Sequence, residues 1–143
     1  MRGERGFTLL EALLVLGIVG VLFTLAFSTY ARESRVAAIR ADIATLGAAL
    51  EGARSNSIRY NLTQRVNFTG KAITTTATGR PDKTVLLETC SVQGGLPELR
   101  WNAPLAEFST AINATPGGVE INLTCPEETR TVKVIGVTGK VYY

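Results

Sequence analysis

The chain has 143 residues, a formal charge of +3 and a hydrophobic fraction of 45%, which is enough for one small domain beside a membrane segment. That charge is too small to imply nucleic-acid binding by itself. Because the sequence contains no histidine and only two cysteines, it lacks the usual general base and the commonest metal ligand, and we predict no enzymatic activity, metal or cofactor.

A short basic segment, residues 1–6, precedes a long apolar run. The run extends from Phe7 to Phe27 and is about as long as a helix that spans a hydrocarbon core of ~30 Å. A secretory signal places its small-residue cleavage site after the apolar stretch. Here the small residue, Gly6, stands before it. Taken alone, this order indicates an uncleaved membrane anchor.

The residues from Gly6 to Glu11, GFTLLE, resemble the type III prepilin signal of type IV pilins and type II secretion pseudopilins. The resemblance implies that a prepilin peptidase cuts between Gly6 and Phe7 and that Phe7 becomes an N-methylated terminus. It also implies a cytoplasmic N-terminus, a periplasmic C-terminal domain, and a route from the bacterial inner membrane into a filament. The implied partners are other pilins or pseudopilins, the peptidase, membrane lipid and an inner-membrane assembly platform.

Glu11 is a carboxylate inside the apolar run. Such a group costs about 2.5–3.5 kcal/mol at the bilayer centre and less near an end. Cutting before Phe7 would create a positive amine about 6 Å along the helix axis from Glu11. In the family that this segment resembles, the two groups are thought to pair between neighbouring subunits. The alternative is that Glu11 lies near the headgroups and has no role.

The apolar helix is predicted to continue beyond the membrane. We divide it into a transmembrane and assembly half, residues 7–30, and an amphipathic half, residues 31–60. No proline precedes Pro81, so nothing in the sequence must break this helix. Charged residues of the second half fall largely off a narrow apolar seam. Among them are Glu33, Arg35, Arg40, Asp42, Glu51 and Arg54. The seam consists of Val36, Ile39, Ile43, Leu46, Leu50 and Ala53.

Residues 61–143 are predicted to form a β-rich domain, because Thr, Asn, Gly and Pro alternate there with short apolar clusters. For residues 69–83 we expect a mobile loop or an exposed hairpin. A long helix laid on a small antiparallel sheet gives an α+β fold of the pilin type. The predicted strands are Gln64–Phe68, Thr84–Cys90, Leu99–Trp101, Val119–Leu123, Thr131–Val137 and Lys140–Tyr143.

Cys90 and Cys125 lie at ends of predicted strands. In an oxidising periplasm a disulfide is the natural interpretation. The alternatives are two free thiols or half of a metal site, and two sulfurs without histidine make a poor metal site.

A second resemblance concerns the domain. The stretch Leu46–Val66 and the ending Val134–Val141 are similar to the helix end and the closing strand of the GspH/FimT group of minor pseudopilins. That group usually has Gly-Arg where this chain has Gly139 and Lys140. The middle of the chain is unmatched, so another pilin-like domain remains the alternative.

The resulting functional hypothesis is a minor structural subunit of a type II secretion pseudopilus or a type IV pilus. The alternative is a FimT-like protein that binds DNA during natural transformation, through Arg130, Lys133 and Lys140. These three cations lie among acidic residues, and Tyr142 stands where a second C-terminal cation is expected. Since binding to the DNA backbone needs several phosphate contacts, we expect DNA binding to be weak.

Overall fold

The computed structural model describes residues 8–110, 118–126, 128–136 and 138–142. In these residues one long helix, α1 (Leu9–Tyr60), is followed by nine strands. They are β1 (Gln64–Thr69), β2 (Ala72–Ala77), β3 (Lys83–Leu86), β4 (Ser91–Val92), β5 (Leu99–Asn102), β6 (Glu107–Thr110), β7 (Val119–Thr124), β8 (Thr129–Val134) and β9 (Val141–Tyr142).

The strands form two antiparallel sheets. One has five strands in the order β3-β2-β1-β5-β6, and the other has four strands in the order β4-β7-β8-β9. The helix and both sheets contribute side chains to one hydrophobic core. This arrangement confirms the predicted α+β class.

The chain forms two compact units, Met1–Ala37 and Ala38–Tyr143. In the first unit, every large apolar side chain from Leu9 to Phe27 is exposed. In the second unit, the domain core is built from the alternating inward positions of the strands, as expected for sheets with one buried face. The Trp101 and Phe108 rings pack in this core with centroids 5.3 Å apart.

The apolar seam of α1 faces the core of the second unit. Ile39, Leu46, Leu50 and Ala53 are buried, and Ile43 packs against them. Their spacing of three and four residues is that of one helix face, which confirms this part of the predicted seam.

The helix ends at Tyr60, as predicted. Asn61 follows with a φ of 51°, the left-handed conformation that often terminates helices and that asparagine adopts more readily than most residues. The turn leads into β1, where Gln64 and Val66 point inward and Arg65 is exposed.

The mobile loop expected at residues 69–83 is wrong, whereas the hairpin alternative is partly right. This stretch contains β2, which lies between β1 and β3. Its Ile73 is completely buried, so the hairpin belongs to the sheet and is not merely a surface extension.

Other strand predictions hold in part. Strands β1, β5 and β7 confirm three of the predicted segments. The segment predicted to run from Thr84 to Cys90 stops at Leu86, bends, and resumes as the short strand β4. Strands β8 and β9 are shorter than predicted, and the predicted ends Val137 and Tyr143 lie outside the described residues. Strands β4 and β6 were not predicted.

Candidate functional site

The start of α1 is capped by a side chain. The Glu11 amide donates to the Thr8 carbonyl at 3.1 Å and contacts the Thr8 hydroxyl oxygen at 3.3 Å. Thr8 with a glutamate three residues later is the sequence pattern of a capping box. A carboxylate in the first turn also interacts favourably with the helix dipole. Glu11 is exposed there, and it occupies the glutamate position of this pattern, which the sequence analysis missed.

Among the described residues, α1 is long and apolar enough to cross a membrane. Two of its hydroxyl groups donate to backbone carbonyls of the preceding turn. Thr24 donates to the Gly20 carbonyl at 2.9 Å, and Thr29 donates to the Leu25 carbonyl at 3.2 Å. Such bonds to the preceding turn satisfy the hydroxyl without a partner outside the helix, which suits a segment that must enter an apolar environment.

The predicted processing residues, Gly6 and Phe7, lie outside the described residues. The described residues therefore give no distance between the Phe7 amine and the Glu11 carboxylate. Their cleavage, methylation and pairing remain predictions.

Asp42 is a buried carboxylate that the sequence analysis placed off the apolar seam. It is 3% exposed and accepts hydrogen bonds from three consecutive backbone amides. Its oxygens lie 2.9 Å from the Glu88 nitrogen, 2.8 Å from the Thr89 nitrogen and 2.7 Å from the Cys90 nitrogen. The prediction that Asp42 falls off the seam with the other charged residues is therefore wrong.

The position of Asp42 could have been recognised from its spacing. It lies three residues after Ile39 and four before Leu46, so it occupies the same helix face as the seam. A single acid at such a position must find donors inside the protein, because a buried charge without hydrogen bonds is very costly. The donors come from the bend between β3 and β4, where the chain leaves the ladder and its amides are free of strand pairing.

The two cysteines form a disulfide, as predicted. Cys90 is completely buried and Cys125 is 8% exposed. Each lies next to a paired strand, since Ser91 of β4 is opposite Thr124 of β7. The disulfide therefore joins the two residues next to the β4–β7 ladder. The Cys90 amide is also one of the three that donate to Asp42.

The three candidate DNA-contacting cations do not form an open basic patch. Arg130 pairs with Glu128 at 2.9 Å, and Lys133 pairs with Glu120 at 2.7 Å across the β7–β8 ladder. The Lys140 ammonium lies 5.1 Å from the centre of the Tyr142 ring. Two of the three positive charges are thus locally compensated.

Gly139, which precedes Lys140, has a structural reason to be glycine. Its φ is +59°, and a Cβ atom added there would collide with the Trp101 indole. Any side chain at this position would therefore disturb both the turn before β9 and the packing of the core tryptophan.

Within the described residues, no group of three or more His, Cys, Asp or Glu side chains is placed to hold a metal ion. The arrangement instead offers an exposed apolar helix with one carboxylate in its first turn and a disulfide-linked domain.

No curated protein and no solved structure matches the chain significantly. Residues 1–27 match the family model of the prokaryotic N-terminal methylation motif. This motif covers the basic segment, the capped helix start and the exposed apolar run, and it is typical of type IV pilin-like prepilins.

Proposed function

We infer that this protein is a minor subunit of a type II secretion pseudopilus or a type IV pilus. The observation that carries the inference is the methylation motif of residues 1–27, within which every large apolar side chain from Leu9 to Phe27 is exposed. An exposed apolar surface of this size needs lipid or other apolar helices to cover it. A membrane covers it before assembly, and neighbouring subunits cover it in the filament.

The proposed route begins in the inner membrane, with the N-terminus in the cytoplasm and the domain in the periplasm. The peptidase removes residues 1–6, Phe7 is methylated, and an assembly platform transfers the subunit into the filament. The Cys90–Cys125 disulfide supports this location, because disulfides persist in oxidising compartments such as the periplasm.

The GspH/FimT group is the subgroup that we propose. Its support is the similarity at Leu46–Val66 and Val134–Val141. The first stretch contains the helix end and β1, and the second joins β8 to β9. These stretches frame the domain, whereas the segments between them carry no such resemblance.

Glu11 is proposed to act in assembly by pairing with the amine of Phe7 on a neighbouring subunit. The capping-box pattern of Thr8 and Glu11 gives a second reason for its presence, because a glutamate side chain at this position can bond back to the start of the helix. The two roles can be separated, because glutamine can replace glutamate in a capping box but carries no charge.

The test compares Glu11→Gln with Glu33→Gln, an identical chemical change at an exposed position further along α1. Intact mass first establishes that each inner-membrane protein lacks Met1 to Gly6 and carries one added methyl group. Cell fractionation then compares processed protein in the inner membrane with protein in sheared filaments. We expect Glu11→Gln to be inserted and processed, yet about 100-fold depleted in filaments. Breaking one side of a buried charge pair typically costs 3–5 kcal/mol.

Thr8→Ala serves as the capping control. Loss of an N-cap costs about 1 kcal/mol, so its recovery in filaments should fall only about fivefold. Equal recovery of Glu11→Gln and wild type in filaments would refute the assembly role of the charge. A leader that stays attached in cells with an active prepilin peptidase would overturn the proposed function itself.

A further inference from the structure

A cleft opens between the last turns of α1 and the β2–β3 hairpin. We call it the helix–hairpin cleft. Its volume is about 270 Å³, and its helical wall is made of small side chains such as Ala48, Gly52 and Ala53. The opposite wall contains Thr75 of β2 and Lys83 of β3. Every residue that lines the cleft belongs to the second unit.

Gln64 lines the cleft, and its side-chain amide nitrogen has no hydrogen-bond partner. The side chain is 4% exposed, and its Nε2 atom is buried without a hydrogen-bond partner. Buried side-chain donors in native proteins are nearly always paired, and an exception in a cleft calls for an acceptor. The amide can donate two hydrogen bonds, so an oxygen atom bound in the cleft would satisfy it.

Arg80 is held at the cleft by an aromatic ring. Its guanidinium carbon lies 3.5 Å from the centre of the Tyr60 ring, and both residues line the cleft. A guanidinium that stacks through its face keeps its N–H groups free along its edge. The stack therefore fixes a planar donor group in position.

The other polar groups of the cleft are also suited to an acceptor. Lys83 adds a second cation, and Asn56 adds an amide. No acidic side chain is among the described residues that line the cleft. Asp82 lies between the two cations in the chain and is exposed, but it is not part of the lining. The cleft thus collects donors and positive charge without a carboxylate of its own.

The volume of the cleft and the direction of the α1 dipole both favour a small, singly charged anion. The volume of about 270 Å³ is below the usual range for drug-sized ligands, so it suits one small group. Of the helical lining, Tyr60 lies in the last turn of α1, where the dipole is unfavourable to anions. This disfavours a doubly charged phosphate more than a singly charged carboxylate.

We propose that the helix–hairpin cleft binds a carboxylate, which the Arg80 guanidinium and the Gln64 amide recognise together. The carboxylate can come from a free organic acid or from an acidic side chain of a docked protein segment. This inference goes beyond the proposed filament function and does not depend on it.

The test uses the full processed chain in a non-ionic detergent and follows its nitrogen–proton correlation spectrum. The Gln64 side-chain signal is assigned by its absence in Gln64→Met. The probes are acetate, glutamate blocked at both backbone ends, and equally blocked glutamine as the neutral control. We expect saturable shifts of the Gln64 signal with the first two probes and none with blocked glutamine. A lower dissociation constant for blocked glutamate than for acetate would assign the source to a protein side chain, and the reverse order would assign it to a free acid.

Arg80→Gln should weaken carboxylate binding about tenfold or more, because a hydrogen bond to a charged group contributes on that scale. Arg65→Gln is the matched control, since it removes the same charge from the exposed neighbour of Gln64. It should change the dissociation constant by less than about twofold. If Arg80→Gln does not fold, Lys83→Gln tests the same charge requirement, read from the Gln64 signal.

Three results would overturn the proposal. One is the absence of a saturable shift with either carboxylate. Another is an equal effect of the cleft and control variants, which would indicate general charge attraction. The third is tighter binding of inorganic phosphate than of both carboxylates, which would contradict the assigned ligand class.

Discussion

Asp42 is the residue that does most to join the helix to the β domain. A single carboxylate accepts the amides of Glu88, Thr89 and Cys90, and it does so from a buried position on α1. Hydrogen bonds to a charged acceptor are stronger than neutral ones. The bend between β3 and β4, which has no strand partner of its own, is thereby attached to the helix.

We predict that Asp42→Asn lowers the free energy of unfolding by about 2–4 kcal/mol. The replacement keeps the shape of the side chain but turns one acceptor into a donor that faces backbone N–H groups, and a buried unsatisfied donor costs about 1–3 kcal/mol. Urea unfolding of the full chain in detergent, followed by the fluorescence of the single and completely buried Trp101, measures the change.

The matched control for this prediction is Asp82→Asn, the same change at an exposed site. It should alter stability by less than about 0.5 kcal/mol. If the two variants are equally stable, the three hydrogen bonds of Asp42 contribute little to the folded state.

Single residues also show where sequence reasoning stops. The spacing of Asp42 along the seam and the Thr8–Glu11 pair were both readable as patterns. The burial of Gln64 was not. A glutamine that opens a strand is ordinarily exposed, and only the folded sheet, in which Gln64 is paired with Ala77 of β2 and Trp101 of β5, leaves it buried.

At the scale of elements, the sequence predicted the features that follow from the spacing of its apolar residues. The seam of α1 and its end at Tyr60 follow from spacing and from the change in composition. Strand β2 was missed because its sequence, AITTTA, is flanked by Gly70 and Gly79, which are turn signals. Its threonines favour strands, but only pairing on both sides with β1 and β3 settles the outcome. Short strands such as β4 and β6 depend on their partners and carry almost no local signal.

The disulfide belongs to the same scale, because it joins two elements that are 35 residues apart in sequence. In the chain-entropy model, closing a loop of this length stabilises the domain by about 4 kcal/mol. We therefore predict that unfolding in urea shifts to much lower denaturant concentration when reductant is present. Peptide mapping without reductant should recover Cys90 linked to Cys125.

The double variant Cys90→Ala with Cys125→Ala provides the control for this prediction. Its unfolding midpoint should not respond to reductant, which separates loss of the bond from other effects of the reagent. Alkylation of both thiols in unreduced, denatured protein would show that the bond does not form.

At the scale of the whole molecule, polar and apolar surfaces are separated between the two units. The first presents an apolar helix, and the second carries its charges on an outer surface where acids and bases alternate. Lys133 and Glu120 face each other across β7 and β8, and Arg130 pairs with Glu128. This distribution suits packing in a filament better than tracking a polyanion, since two of the three cations that could contact phosphate, Arg130 and Lys133, already have acidic partners.

The weak DNA binding predicted from the sequence can be tested through these acidic neighbours. Wild-type protein should bind duplex DNA no more tightly than ~10⁻⁴–10⁻⁶ M at physiological salt, the range of non-specific binding. Glu120→Gln removes the partner of Lys133 and should raise the affinity modestly. Glu107→Gln makes the same charge change on β6, at an exposed position outside the β7–β8 ladder, and should have a smaller effect. Fluorescence anisotropy of labelled DNA over a series of salt concentrations measures both the affinity and its salt dependence.

Submicromolar binding by the wild type that disappears in Lys140→Ala would contradict this prediction. It would show that the C-terminal cation acts although Arg130 and Lys133 are paired with acids, and it would favour a role in DNA uptake over a purely structural one.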